Sequence, residues 1–259
     1  MKKKLALILT LALVISLLPM DLFQITAKAA TSGVLTYEVD PSGAVEITDC
    51  SVDASGELVI PSTLDGHQVR SIGRGAFDEC SGLISIVIPE SVTSIGELAF
   101  SRCSSLTSII IPEGVTSIED WTFNECSSLT SIVIPESVTS IGESAFFGCS
   151  SLTNIIIPGS VLSIEMHTFR YCDNLKSVTI LEGVKRIEKE AFVTCNLESI
   201  TIPGSVTSIG ESVYVQLSYE GISVRGGNEY RKLCFCGMLS THRFNHSRKC
   251  IIHRGTCFF

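Results

Sequence analysis

Few residues in this sequence are equipped for chemistry. Histidine occurs five times in 259 residues, and before residue 226 only as His67 and His167. Neither stands beside a cysteine or serine in a nucleophile motif, and no glycine-rich phosphate loop or nucleotide fingerprint occurs. The residues therefore assemble no catalytic site, and the expectation is a protein that is not an enzyme and uses no cofactor. Long apolar runs are also missing. The longest, Leu5 to Leu18, has 14 residues, short of the roughly 20 that a membrane span needs. Positive charge is scarce. The chain has 19 basic and 27 acidic side chains, and that sign argues against a nucleic-acid partner.

The one apolar run follows "MKKK" and precedes "AKAA", with Ala27 and Ala29 at the small positions of a cleavage site. That is the pattern of a secretory signal peptide over 1–29, the alternative being an uncleaved N-terminal anchor. The expectation is a secreted or cell-surface chain with no transmembrane segment in its mature part. Setting aside Lys2, Lys3, Lys4, Lys28 and Asp21 leaves 15 basic and 26 acidic side chains, a net charge of −11. The charge is divided unevenly. Residues 226–259 carry Arg231, Lys232, Arg243, Arg248, Lys249 and Arg254 against Glu229 alone.

What the sequence does have is repetition. Phenylalanine recurs at 77, 100, 123, 146, 169 and 192, and cysteine at 80, 103, 126, 149, 172 and 195, always 23 residues apart. Proline recurs at 89, 112, 135 and 158, then at 203. An insertion, "TLDGH", occupies 63–67, and one residue is lost after Cys195. Self-similarity at a period of 20 to 50 residues is the signature of a solenoid. In "LTSIVIP" (129–135) the alternation predicts a short strand with Ile132 and Ile134 inward and Ser131 and Val133 outward. Proline then ends it by withholding a backbone donor. "PES" and its variants read as turns, "VTSI" as a second brief extended segment, and "GESAF" as one helical or 3₁₀ turn that drops Ala145 and Phe146 inward. Glu97, Glu143 and Glu211 look like caps of that turn. One repeat buries too few apolar side chains to offset the entropy of ordering it, so only a stack is stable. Rungs about 4.8 Å apart then form ladders of phenylalanine, cysteine and isoleucine.

"IGESAFFGCSSLTNIIIP" (141–158) and its copies resemble the BspA-type leucine-rich repeats of secreted and surface proteins. The resemblance implies a mostly β repeat solenoid, a leucine-rich repeat of 23-residue units with a parallel sheet, short strands and 3₁₀ turns, and little regular helix. The resemblance covers 60–225. Residues 30–59, with "GVLTYEVDPSGAVEIT" (33–48), resemble the family's N-terminal capping hairpin. "YVQLSYEGISV" (214–224) reads as a worn last repeat, with Tyr214 and Leu217 in the Phe and Cys registers. "VRGGNEY" (224–230) resembles the family's hairpin insertion, and 226–259 form a divergent basic tail.

Eleven cysteines in a secreted chain invite disulfides. Ladder side chains point in parallel, however, so the six in register are expected as buried free thiols, pairwise bridges being the alternative. Cys50 is expected to be structural. The tail holds Cys234, Cys236, His242, His246, Cys250, His253 and Cys257. A zinc site, disulfides and a degenerate end are its three readings, and no metal ligands are assigned. His167 shares its repeat position with Trp121, Ser144 and Glu190, a variable site expected to be exposed.

Function is expected on the outward column of the strands: Val87, Ile110, Val133, Ile156, Thr179 and Thr201. An exposed column of β-branched residues marks a partner surface, or it simply suits a parallel sheet. It has no aromatics, which favours a protein ligand over a sugar. The resemblance implies adhesion, with a host matrix or mucosal protein as partner. The competing class is a structural spacer of the cell envelope or a remnant of a larger surface protein. A third is metal or redox function in the tail.

Overall fold

The computed structural model describes residues 33–210 and 212–213, together with the strands Ile222–Val224, Ile251–His253 and Thr256–Phe258. The expected signal peptide, the Tyr214 and Leu217 registers, Glu211 and the Cys/His chemistry of the tail lie outside the described residues.

The chain enters as an antiparallel hairpin of Leu35–Val39 and Ala44–Cys50. Asp40 builds its turn. One carboxylate oxygen accepts from the Ser42 amide at 2.7 Å, the Ser42 hydroxyl at 2.6 Å and the Ala44 amide at 3.0 Å. Those bonds, the Ser42 hydroxyl first, hold the carboxyl below its ordinary value. Ala44–Cys50 then pairs in parallel with His67–Ile72, which also folds back on Thr63–Leu64. The "TLDGH" insertion is thus a tight second hairpin. Asp65 and Gly66 take φ of 48° and 82°, the left-handed pair that a two-residue hairpin loop demands.

From there the chain winds as a solenoid with two parallel ladders. The longer strands stack as Ser55–Val59 on Gly82–Val87 on Ser108–Ile109, and again as Asn154–Ile157, Ser177–Ile180, Ser199–Ile202 and Ile222–Val224. The short ladder consists of two-residue strands, chiefly Ser-Ile pairs such as Ser117–Ile118, Ser140–Ile141 and Ser163–Ile164. Partners in the repeat body are 23 residues apart, as in Ile155 beside Val178. The long ladder is not continuous. In the coil holding 131–134 it narrows to a single bridge between Ile110 and Val133, although this coil is among the most regular in sequence.

The segment read as one helical or 3₁₀ turn is instead a chain of consecutive β-turns. It keeps i→i−3 bonds of 3₁₀ type, such as Ala145 to Gly142 at 3.4 Å, Phe147 to Ser144 at 3.0 Å and Cys149 to Phe146 at 3.2 Å. Left-handed residues interrupt it twice per coil. Leu98, Trp121, Ser144, His167 and Glu190 form one left-handed column, with φ of 55–60°. Glu79, Arg102, Glu125, Gly148, Tyr171 and Thr194 form the other, with φ of 55–72°. Such φ is costly for side-chain-bearing residues. It persists because it swings the amide along the stack. Trp121 donates to Glu143 O at 3.0 Å, Phe123 to Ala145 O at 2.8 Å and Glu125 to Phe147 O at 2.6 Å. The turn face is thereby hydrogen-bonded from coil to coil, much as a sheet is.

The core is a set of columns. Phe77, Phe100, Phe123, Phe146, Phe169 and Phe192 are fully buried. Their rings stack face to face with centroids 5.2–5.5 Å apart and interplanar angles of 17° or less. The in-register cysteines and Cys50 are buried and free. Among the described residues, no helix is long and apolar enough to cross a membrane.

Candidate functional site

On the sheet side, alternation along each strand sends one side chain out for every two that anchor it. Ile132 and Ile134 are buried, as are Ile109 and Ile111, while the residue between each pair faces water. Val87 is 42% exposed, Ile110 71%, Val133 77% and Ile156 51%. Thr179 and Thr201 stand in the same column, half-buried. Parallel pairing sets Val59 beside Val87, Ile110 beside Val133, Ile156 beside Thr179 and Thr179 beside Thr201. The column therefore begins a rung earlier than the sequence reading placed it, at Val59. Its most exposed members, Ile110 and Val133, meet where the ladder narrows to one bridge.

Threonines border this column. Thr107 Oγ1 donates to Ile84 O at 3.1 Å, and Thr130 Oγ1 to Thr107 O at 3.3 Å. Their hydroxyl protons bond the coils together. Serines or asparagine fill the row between, at Ser108, Ser131 and Asn154. The result is a flat face with an aliphatic seam and a polar margin. The column itself consists of aliphatic and threonine side chains, with no titratable group among them.

The turn side holds a group of aromatic and charged side chains. Trp121, Phe147 and Tyr171 lie in successive coils. The Trp121 and Phe147 ring centroids are 5.8 Å apart, and Phe147 meets Tyr171 edge to face at 5.1 Å. The Arg170 guanidinium carbon lies 5.0 Å from the Tyr171 ring centroid. Arg170 also pairs with Glu190 at 2.9 Å. His167 bonds Glu190 through Nε2 at 3.1 Å, with Glu143 at 3.8 Å from its Nδ1. That hydrogen bond first, then Lys189 and Arg170, holds the Glu190 carboxyl below its ordinary value. The position shared by Trp121, Ser144, His167 and Glu190 is half-buried or buried, not exposed, because its left-handed backbone lays the side chain against the neighbouring coil. Glu97 and Glu143 cap no helix. Glu97 instead pairs with Arg74 at 2.5 Å. The signal for the aromatic group was present in the sequence: Phe147 follows a ladder phenylalanine and Tyr171 precedes a ladder cysteine, both outside the repeating registers.

Beside these rings lies an open groove of about 590 Å³, bordered by Arg102, Glu125, Phe147, Gly148, Tyr171 and Asp173. Among the described residues, no group of three or more His, Cys, Asp or Glu side chains is placed to hold a metal ion.

Residues 57–172, 94–220 and 140–258 match the model of the BspA type leucine rich repeat region, with six copies. Among solved structures, the fold is similar to a leucine-rich repeat protein of T. pallidum, with a TM-score of 0.68 and 32% identity over 74% of this chain and 91% of that one. It is also similar to a leucine-rich repeat protein from Bacteroides ovatus, with a TM-score of 0.53 and 26% identity over 76% of this chain and 67% of that one. No curated protein matches the chain.

Proposed function

The chain belongs to the BspA-type leucine-rich repeat family, and from that premise we propose that it is a secreted or cell-surface adhesion module that captures a host matrix or mucosal protein on its sheet face. The family includes bacterial surface proteins, generally serves protein interaction and is typically non-enzymatic. The observation that carries the proposal is the aliphatic seam of Val87, Ile110, Val133 and Ile156, at 42–77% exposure. Scattered apolar residues are normal on a surface, but a contiguous column is characteristic of a partner site. The threonine and serine margin supplies a polar rim around an apolar centre, the usual anatomy of a protein interface. The signal-peptide pattern over 1–29 supports export. The body is read as non-catalytic, with activity distributed over a face.

The experiment is solid-phase binding of the purified chain to a panel of matrix and mucosal proteins, beside the double variant Ile110→Glu, Val133→Glu. Saturable binding that disappears in a variant of unchanged thermal stability is the expected result. A folded chain that binds nothing on the panel would favour the spacer reading. Binding retained by the variant would move the contact off the sheet face.

A further inference from the structure

We propose that the groove on the turn face is a second binding site, independent of the sheet face, and that it takes an arginine- or lysine-bearing peptide segment. Its construction is local and specific to four coils. Arg102, Glu125, Gly148 and Tyr171 occupy successive rungs of one column, each just before a ladder cysteine. Gly148 leaves its rung empty between Glu125 and Tyr171, and a Cβ there would already stand 3.3 Å from Glu125 Cγ. The missing side chain is what opens the groove. Phe147 and Tyr171 wall it on one side, and Tyr171 is 41% exposed at a φ of 62°. The φ of Tyr171 is the one its whole column takes, its amide bonding Val193 O in the next coil at 3.1 Å, so what sets this rung apart is the exposed aromatic ring itself.

The hydrogen-bonding inventory identifies the ligand. Arg102 is already committed: its guanidinium bonds Asp78 at 2.6 and 3.2 Å and Glu79 at 2.9 Å. Ser127 and Ser150 direct their hydroxyl protons to the carbonyls of Ser104 and Ser127, both at 3.3 Å. Glu125 and Asp173 form no ion pair within 4 Å among the described residues, and Glu125 acts on Arg102 only at longer range, behind Asp78 and Glu79. The groove thus presents carboxyl oxygens and aromatic rings and few free donors. A guanidinium or ammonium brings only donors and a positive charge, and aromatic faces attract it. A neutral sugar would bring acceptors that this lining leaves unmatched. The protein already contains one example of this chemistry, because Arg170 sits over the Tyr171 ring while pairing with Glu190.

The test is fluorescence anisotropy of the full chain with a labelled hexa-arginine peptide at physiological ionic strength. Saturable binding is expected, about tenfold weaker in Glu125→Gln, Asp173→Asn and in Tyr171→Ala. Glu113→Gln, Glu136→Gln removes the same charge from exposed turns outside the groove and should leave binding unchanged. Thermal melts of each variant verify that the fold is retained. Equal weakening in the two charge-removing variants would overturn the proposal in favour of diffuse attraction to an acidic body. Absence of saturable binding would also overturn it, as would labelled maltohexaose binding more tightly than the peptide.

Discussion

The thiol of Cys149 donates to the carbonyl oxygen of Phe123 in the preceding coil, 3.2 Å away. The same bond recurs from Cys103 to Phe77, Cys126 to Phe100, Cys172 to Phe146 and Cys195 to Phe169, at 3.0–3.2 Å. It gives a reason for cysteine at this register. Each of these carbonyls already accepts the amide of the cysteine three residues on, as Phe123 does from Cys126 at 3.2 Å, and its second lone pair faces a small apolar space. A thiol is both a small hydrophobe and a weak donor. Replacing Cys149 with alanine removes packing volume and one of the two bonds the Phe123 carbonyl accepts, leaving that from the Cys126 amide at 3.2 Å. The expected cost is about 1–3 kcal/mol, read as a lower midpoint in chemical denaturation. An unchanged midpoint would mean the bond contributes nothing.

The same burial bears on reactivity. Loss of solvent pushes the thiols of Cys103, Cys126, Cys149 and Cys172 well above their ordinary value. The thiolate is the reactive form, so these four should resist alkylation at pH 8 in the folded protein. Peptide mapping after iodoacetamide treatment should find them unmodified without denaturant and fully modified with it. Modification in the native state would show that the stack opens between coils.

Phe146 stacks on both Phe123 and Phe169, at 5.3 Å each. Phe77 has one stacking partner in the ladder, Phe100 at 5.2 Å. In a solenoid each rung is held by its neighbours, so position along the ladder should scale the damage. Phe146→Ala should cost about 3–5 kcal/mol, and Phe77→Ala measurably less in the same denaturation experiment. Equal losses would indicate that burial alone, without the stack, sets the energy.

Much of this arrangement was legible in the sequence. The inward isoleucines, the outward Val133 and the phenylalanine and cysteine ladders follow from a period of two inside a period of 23. The left-handed columns were not legible. Leu98, Trp121, Ser144, His167 and Glu190 share no side-chain chemistry, because the conformation is imposed by amides reaching to the next coil. The narrowing of the sheet at Val133 leaves no mark in a coil whose text matches its neighbours. The groove escaped for a related reason. Gly148, Tyr171 and Asp173 do not recur and Glu125 is matched only by Glu79, and a reading built on recurrence discards what varies.

Glu190 supplies a prediction in pH. Its carboxyl is held below the ordinary value by His167 first, then by Lys189 and Arg170. A depressed carboxyl stabilises the fold while ionised. Its contribution is complete above the unfolded value and is lost as pH falls through the folded one. Glu190→Gln should therefore melt slightly below the wild type at pH 7, and the gap should close on acidification below the usual carboxylate range. A gap constant with pH would assign the loss to packing.

Gly142 tests how closely the coils approach. A Cβ built there would lie 2.5 Å from the Asp120 amide nitrogen and 2.7 Å from the Glu119 carbonyl carbon. Both are backbone atoms, which yield less readily than a side chain. The Gly142 amide is itself bonded to Ile118 O at 2.8 Å, so the coils cannot separate without losing that bond. Glutamate occupies the matching position in other coils, at Glu119 and Glu165, so the register itself does not forbid a side chain. The same approach recurs at the register's other glycines, a Cβ on Gly96 or Gly210 lying 2.7 Å from Arg74 N or 2.5 Å from Lys189 N, and at Gly142 Asp120 Oδ1 also reaches across to accept from the Glu143 amide at 2.7 Å. Gly142→Ala should cost about 1–3 kcal/mol as an overpacked contact. The double variant Gly142→Ala, Asp120→Ala should recover only the part that comes from the Asp120 side chain. Full recovery would show that the backbone contact relaxes freely; none would show that the backbone alone sets the spacing.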